Sequence, residues 1–429
     1  MLTSAHASKL IVFGSILAGA IWTATLVLRH AVEFPFMDSW VVAQYYVAFK
    51  RGSLRLVDLF SQYNLHRPFA PLLVFLLNFS IFGWSTIATL LLNVILASAT
   101  AVVLVRLVGQ TVEGAGWLFS TVGLVVAIQV FNLSQFVNWL MEFDLCWYIF
   151  NLGAVTFFYF LNPSGCASNP NLCAAVAALG ALAATYSLAG GLLLWPIGAA
   201  FLIFNRASRV RLLAWLAVSA IVFAAYLWNL RPEPLAPKSM GNAEKILAIG
   251  EFLARFLGMT VGEGYLAGLL LTIFGGVAGV LCLKQELRSR AAPWLGLATF
   301  VALCGLSAGV TRAPVFGPTE GASTRYGTVA GLFVIAVVTL IAIAGSHWRQ
   351  LRLVSVGLIG AVAIASALHY PSGYAQFLWL ADRLNTAREC VRRQGPADEC
   401  LSLVFVADQT HVARQIWNDV RKVGWRGAQ

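Results

Sequence analysis

Long apolar runs broken by short polar segments fill the chain from its beginning to about His369. An α-helix needs ~20 residues to cross a ~30 Å hydrocarbon core. Runs of that kind predict about eleven transmembrane helices. They fall at Leu10–Leu28, Ser85–Val105, Trp117–Leu133, Leu145–Leu161, Leu172–Tyr186, Gly190–Phe204, Leu212–Leu230, Gly264–Leu283, Pro293–Val310, Gly327–Gly345 and Leu353–His369. Pro68–Trp84 is also apolar, but counting it as a crossing would reverse every loop after it, so it is expected to pack in or on the membrane without crossing. The first external loop then runs over residues 29–84. A transmembrane domain over residues 1–370 is followed by a polar tail, 371–429, in which Gln376–Arg393 reads as helix, Leu401–Val406 as a β-rich run and Thr410–Val423 as an amphipathic stretch. That pattern predicts a small external α/β domain on an otherwise all-α polytopic membrane protein.

Composition agrees with the pattern. Hydrophobic residues make up 59% of the chain and charged ones 11%, and a mean hydropathy of +0.78 lies outside the soluble range. The charge distribution adds orientation. Basic residues collect in three loops, at Arg206, Arg209 and Arg211, at Lys284, Arg288 and Arg290, and at His347, Arg349 and Arg352. With the spans above, all three share one side with Lys9 and Arg106, which the positive-inside rule makes cytoplasmic. The N-terminus is then cytoplasmic, the C-terminus external, and of the 18 carboxylates only Glu113 and Glu286 stay inside. The net charge of +11 therefore needs no nucleic-acid partner. There is no phosphate-binding Gly-rich loop, no HExxH and no GxSxG, so soluble-nucleotide chemistry is unsupported.

Candidate chemistry collects on the external side. FPFMDSW, residues 34–40, puts Asp38 among aromatic residues just before a helix-compatible run, where it can cap the helix, act chemically, or both. Trp40 suits a membrane interface. Asn64-Leu65-His66-Arg67 closes the first loop, Asn138-Trp139-Leu140-Met141-Glu142-Phe143-Asp144 fills the second, and Ser323-Thr324-Arg325-Tyr326 precedes the tenth span. Arg67 and Arg325 offer a donor fork for a lipid phosphate or simply snorkel to headgroups. Glu142 and Asp144 sit beside Trp139, Phe143 and Trp147, and carboxylates next to a bilayer are functional candidates. Cys390 and Cys400 fall in the tail on the oxidising side, and a disulfide between them is expected. Cys146, Cys166, Cys173, Cys282 and Cys304 show no metal-ligand spacing.

Taken in order, Asp38-Ser39-Trp40, Asn64 to Arg67, Asn138-Trp139, Ser187 to Pro196 and Arg325-Tyr326 resemble motifs of compact bacterial members of the GT-C superfamily of integral membrane glycosyltransferases. The resemblance covers residues 10–345. It implies transfer of a single sugar, such as arabinofuranose, from a polyprenyl-phosphate donor to a periplasmic acceptor, with inversion at the anomeric carbon. The acceptor would be a surface protein such as type IV pilin, or O-antigen. Asp38 would be the general base, Arg325 with Tyr326 and Arg67 the phosphate clamp, and His66 an auxiliary hydrogen-bonding or metal-binding group. Ser39 stands where many such enzymes carry a second acid, so a second carboxylate is sought at Glu142 or Asp144, with Asn138, Trp40 and Trp139 near the acceptor. A divalent cation is a candidate cofactor, and membrane lipid is a partner. Arg and Ala usage suggests a GC-rich bacterium and its inner membrane. An O-antigen polymerase or ligase and a lipid-linked-sugar flippase or transporter are the rival readings.

Overall fold

The computed structural model describes residues 4–112, 116–162, 169–231, 240–262, 264–406 and 409–428. Two residues discussed above, Glu113 and Cys166, lie outside them. The α-helices begin with α1 (Ser4–His30), α2 (Ser39–Lys50), α3 (Phe69–Phe82), α4 (Thr86–Thr111), α5 (Gly116–Val130) and α6 (Phe136–Leu140). They continue with α7 (Leu145–Leu161), α8 (Pro170–Thr185), α9 (Leu194–Phe204), α10 (Arg209–Leu227), α11 (Asn242–Gly258) and α12 (Leu266–Leu281). The chain ends with α13 (Gln285–Phe316), α14 (Gly327–His347), α15 (Arg352–Gln394), α16 (Asp398–Leu401) and α17 (Thr410–Lys422).

Among the described residues, 8 helical segments are long and apolar enough to span a membrane. Shorter apolar helices lie at Phe69–Phe82, Pro170–Thr185, Ala189–Phe204 and Leu266–Leu281. Helices satisfy their own backbone groups, the requirement that hydrocarbon imposes. α14, apolar on every face, is the fully enclosed central post, with α5, α12, α13 and α15 around it. α7 and α8 touch backbone to backbone: a Cβ on Gly153 would come within 2.5 Å of the Gly180 carbonyl oxygen, the close approach that small residues allow in membrane bundles.

The three basic segments meet at one end of the bundle. The Arg288 guanidinium lies 4.1 Å over the Phe204 ring, Lys284 lies 5.1 Å over Trp348, and His347 is 3.3 Å from Glu286. α3 keeps both of its ends at the opposite end: the Ala70 N–H donates to the Tyr186 carbonyl at 2.9 Å, while the turn after α3 donates to Glu33 through Ser85 Oγ at 2.7 Å.

The tail differs from the expected α/β domain. Among the described residues there is no strand, only an isolated bridge between Tyr63 and His66. α15 runs unbroken past residue 370 to Gln394, and Leu401–Val406 folds as a turn in which the Phe405 N–H donates to the Leu401 carbonyl at 2.9 Å. A lone β-run has no ladder to join, and its backbone groups must be satisfied locally or by neighbours. The expected Cys390–Cys400 disulfide is formed; Cys173 in α8 is disulfide-bonded as well, which no spacing in the sequence indicates. The tail is bolted onto the first loop: Trp425 stacks on Trp84 at 4.0 Å and donates to its carbonyl at 2.8 Å, and Arg51 pairs with Asp419 at 2.7 Å.

Candidate functional site

At the end away from the basic segments, the first loop, the starts of α7 and α14 and the last turns of α13 enclose a cavity of about 150 Å³, the scale that admits a single six-membered ring. Asp38, His66, Asp144, Arg312, Arg325 and Tyr326 all line it, with Phe143, Phe256, Leu188 and Val329 as the apolar part of the wall. The helices α7 and α14 begin at this wall, so the positive ends of two helix dipoles favour an anion here.

Asp38 stands at the start of α2 without capping it: its side chain makes no bond to the first turn. Its Oδ1 instead accepts the Tyr63 hydroxyl at 2.7 Å. Burial, followed by the Asp38 charge, raises the Tyr63 pKa above the usual phenol range, so Tyr63 stays a donor. The residue before Asp38, Met37, has φ +46°, a strained value for a residue with a side chain. The tail holds it there, since the Met37 N–H donates to the Val404 carbonyl at 2.9 Å. The tail therefore positions Asp38.

His66 comes from the bridge with Tyr63, in which the two residues exchange N–H···O bonds of 2.9 Å around Asn64 at φ +51°, a left-handed value that Asn tolerates better than most residues. Its Nδ1 accepts the Ala189 N–H at 3.1 Å, so the ring is neutral with its proton on Nε2. Burial lowers its pKa to about 4, with Arg312 and Arg325 adding to the effect.

The two arginines differ. Arg325 pairs with Glu320 and lies 5.5 Å over the Tyr326 ring, while its carbonyl accepts from Asn138 Nδ2 at 3.1 Å. Arg312, not among the candidates drawn from sequence, lines the cavity and makes no hydrogen bond or ion pair among the described residues. It was legible in principle, as a charge near the end of an otherwise apolar run. Three buried polar atoms in this wall also have no hydrogen-bond partner: Asp144 Oδ2, Arg325 Nε and the Tyr326 hydroxyl. A polar ligand or a water in the cavity would satisfy them.

Other expected site residues lie elsewhere. Arg67 is consumed by backbone, donating from Nε to the Tyr226 carbonyl at 2.8 Å, from Nη1 to Phe60 at 2.6 Å and from Nη2 to Trp228. It ties the first loop to the end of α10 and is outside the cavity wall. Glu142, buried, accepts Trp84 Nε1 at 3.0 Å and does not line the cavity. Trp40 is enclosed by Phe34, Phe405 and Trp417, and Trp139 donates to the Asn132 carbonyl at 3.1 Å. Both are packing residues, and Asn138 acts through the Arg325 backbone. For a divalent cation, Asp38 and Asp144 are the carboxylates available, and among the described residues no group of three ligating side chains forms. That donor set is short of a metal cage. No protein-family profile, curated protein or solved structure matches the chain.

Proposed function

We propose that the protein is a membrane glycosyltransferase that moves one sugar from a polyprenyl-phosphate donor to an acceptor hydroxyl. The observation carrying this reading is the pairing, in one cavity, of two carboxylates, Asp38 and Asp144, with two guanidiniums, Arg312 and Arg325. Glycosyl transfer from a lipid phosphate needs both signs of charge: a base for the acceptor proton and cations for the departing phosphate. Asp38, anchored through Oδ1 by Tyr63, takes the acceptor proton as the hydroxyl oxygen bonds to the anomeric carbon. The bond from that carbon to the phosphate oxygen breaks, the phosphate keeps the electron pair, and Arg312 and Arg325 hold it. One displacement inverts the centre. His66 donates from Nε2, and the ring-sized cavity suits a monosaccharide such as a pentofuranose.

The eight long spans together with α8, α9 and α12 make eleven crossings, with α3 lying at one face. The positive-inside rule puts the basic end in the cytoplasm, which makes the cavity periplasmic in a bacterial inner membrane and the Cys390–Cys400 disulfide a natural feature of that face. The Cys173 disulfide pulls the other way: α8 starts near the basic end, where Arg211 Nε donates to Asn171 at 3.2 Å. The charge of three segments is the stronger evidence.

The test is product mass. Pilin and lipopolysaccharide are compared between cells with and without this gene, and the purified protein is incubated with a polyprenyl-phosphate pentose. Loss of a single pentose from one acceptor, restored by the gene, supports the reading. Unchanged masses of both and no turnover of the donor overturn it, and loss of long repeats in place of one sugar assigns a polymerase or ligase.

A further inference from the structure

A second cavity, separate from the first and about 510 Å³, opens at the seam where the tail meets the turn between α3 and α4. Arg388 and Arg392 enter it from α15, Arg426 from the C-terminal turn, and Phe82, Trp84 and Ser85 from the α3–α4 turn. Glu33 also lines it, but that carboxylate is committed to the start of α4, accepting Ser85 Oγ and the Thr86 N–H at 2.7 Å each. One further acid, Glu389, is shared between Arg388 at 3.2 Å and Arg392 at 3.5 Å. Arg426 makes no ion pair among the described residues, and Arg388 Nε is buried without a partner. Three guanidiniums thus face a space whose acids are already engaged.

We propose that this cavity holds the phosphate of an anionic phospholipid headgroup. Arginine forks match phosphate oxygens in geometry as well as charge. The lipid source follows from the approach to the cavity: on α3, Leu77, Ile81 and Phe82 are 61%, 68% and 56% exposed, and Phe82 is itself part of the cavity wall. An apolar stripe running into a cationic pocket fits a molecule that carries a phosphate on acyl chains. The occupant touches α15, the C-terminal turn and the α3–α4 turn at once, so it clamps the tail beside the Trp84–Trp425 stack. This inference does not depend on the transferase reading.

The purified protein is titrated in detergent with short-chain phosphatidylglycerol, short-chain phosphatidylcholine or inorganic phosphate, and unfolding is followed by tryptophan fluorescence. Phosphatidylglycerol is expected to raise the midpoint saturably, while phosphatidylcholine and phosphate at equal concentration do not. Arg426→Gln, at an exposed and unpaired residue, should weaken the effect about tenfold, the scale of one lost charge-assisted hydrogen bond, and the triple variant Arg388→Gln/Arg392→Gln/Arg426→Gln should abolish it. Should the triple variant fail to fold, Arg426→Gln decides alone. An equal response to phosphatidylcholine, or an unchanged response in Arg426→Gln, overturns the site; an equal response to inorganic phosphate overturns the lipid assignment.

Discussion

Replacing Asp38 with Asn separates chemistry from structure at the residue on which the proposed mechanism turns. Because the Asp38 side chain does not cap α2, capping contributes nothing to the outcome. The contact at stake is the 2.7 Å bond from the Tyr63 hydroxyl to Oδ1. The amide oxygen of Asn accepts the same proton, so a charge-assisted hydrogen bond becomes a neutral one at a cost of about 1 kcal/mol. Against a stability of several kcal/mol that leaves the folded population nearly unchanged. The chemical loss is larger. An amide cannot take the acceptor proton, and general-base catalysis supplies ~10²–10⁴-fold, so the barrier should rise by at least about 2.7 kcal/mol. Membrane abundance by immunoblot should match wild type while sugar transfer from a radiolabelled lipid-phosphate donor falls at least a hundredfold. Tyr63→Phe keeps the carboxylate and loses its anchor, so it should fall less than the Asn variant. Wild-type transfer in an abundant Asp38→Asn protein would refute the base assignment and move attention to Asp144.

Further outcomes follow from the same geometry. Arg312→Ala should keep wild-type abundance and lose donor turnover at least tenfold, whereas Arg67→Ala, which strands three backbone carbonyls, should lower abundance by costing about 2 kcal/mol or more; the reverse pattern in paired immunoblot and transfer assays would exchange their roles. Cys390→Ser with Cys400→Ser should weaken the tail by ~2–3 kcal/mol, seen as earlier tail unfolding and faster proteolysis beyond Gln394; an unchanged digestion profile would mean that tail packing alone holds it. His66, neutral when folded with a pKa of about 4 against ~6.5 when unfolded, binds more protons in the unfolded state between those values. Its contribution is intact above pH ~6.5 and is lost as pH falls toward 4, so the melting temperature should drop across that window and drop less in His66→Gln. An alkaline phosphatase fusion after Gln429 should be active and one after Arg209 inactive; the opposite pattern discards the orientation.

The helices were legible because membrane spans are specified locally. A window of ~20 apolar residues is enough to specify a span. Pro68–Trp84 is the exception: the expectation that it does not cross comes from the charge of loops far along the chain, not from its own composition. The tail departs from the strand pattern at Leu401–Val406 because a run of Leu, Val and Phe is equally suited to a strand and to a turn that buries Leu401 and Val404. Which one forms depends on whether another strand is available, and here what is available is α2, α15 and α17.

The two arginines show most clearly where local reading stops. Arg67 and Arg325 each follow a polar residue at an external boundary and were equal candidates for a phosphate. What separates them is the set of carbonyls left over at the end of α10, Tyr226 and Trp228, which lie far along the chain and claim Arg67 in the fold. Arg325 meets one acid, Glu320, and keeps Nε unpartnered. A guanidinium carries five N–H donors and needs most of them satisfied when buried, so its role follows from what is left after the backbone has taken its share. By that measure the free donors lie with Arg312 and Arg325. Asp38 lines the same cavity, and the residue before it, Met37, is held by a tail residue, Val404, that no local pattern connects to it. The charges of the site could be found in the sequence one at a time; their convergence comes from packing the first loop against the ends of α7, α13 and α14. The tail contact beside the site, the Met37 N–H to the Val404 carbonyl at 2.9 Å, bears on Asp38 alone.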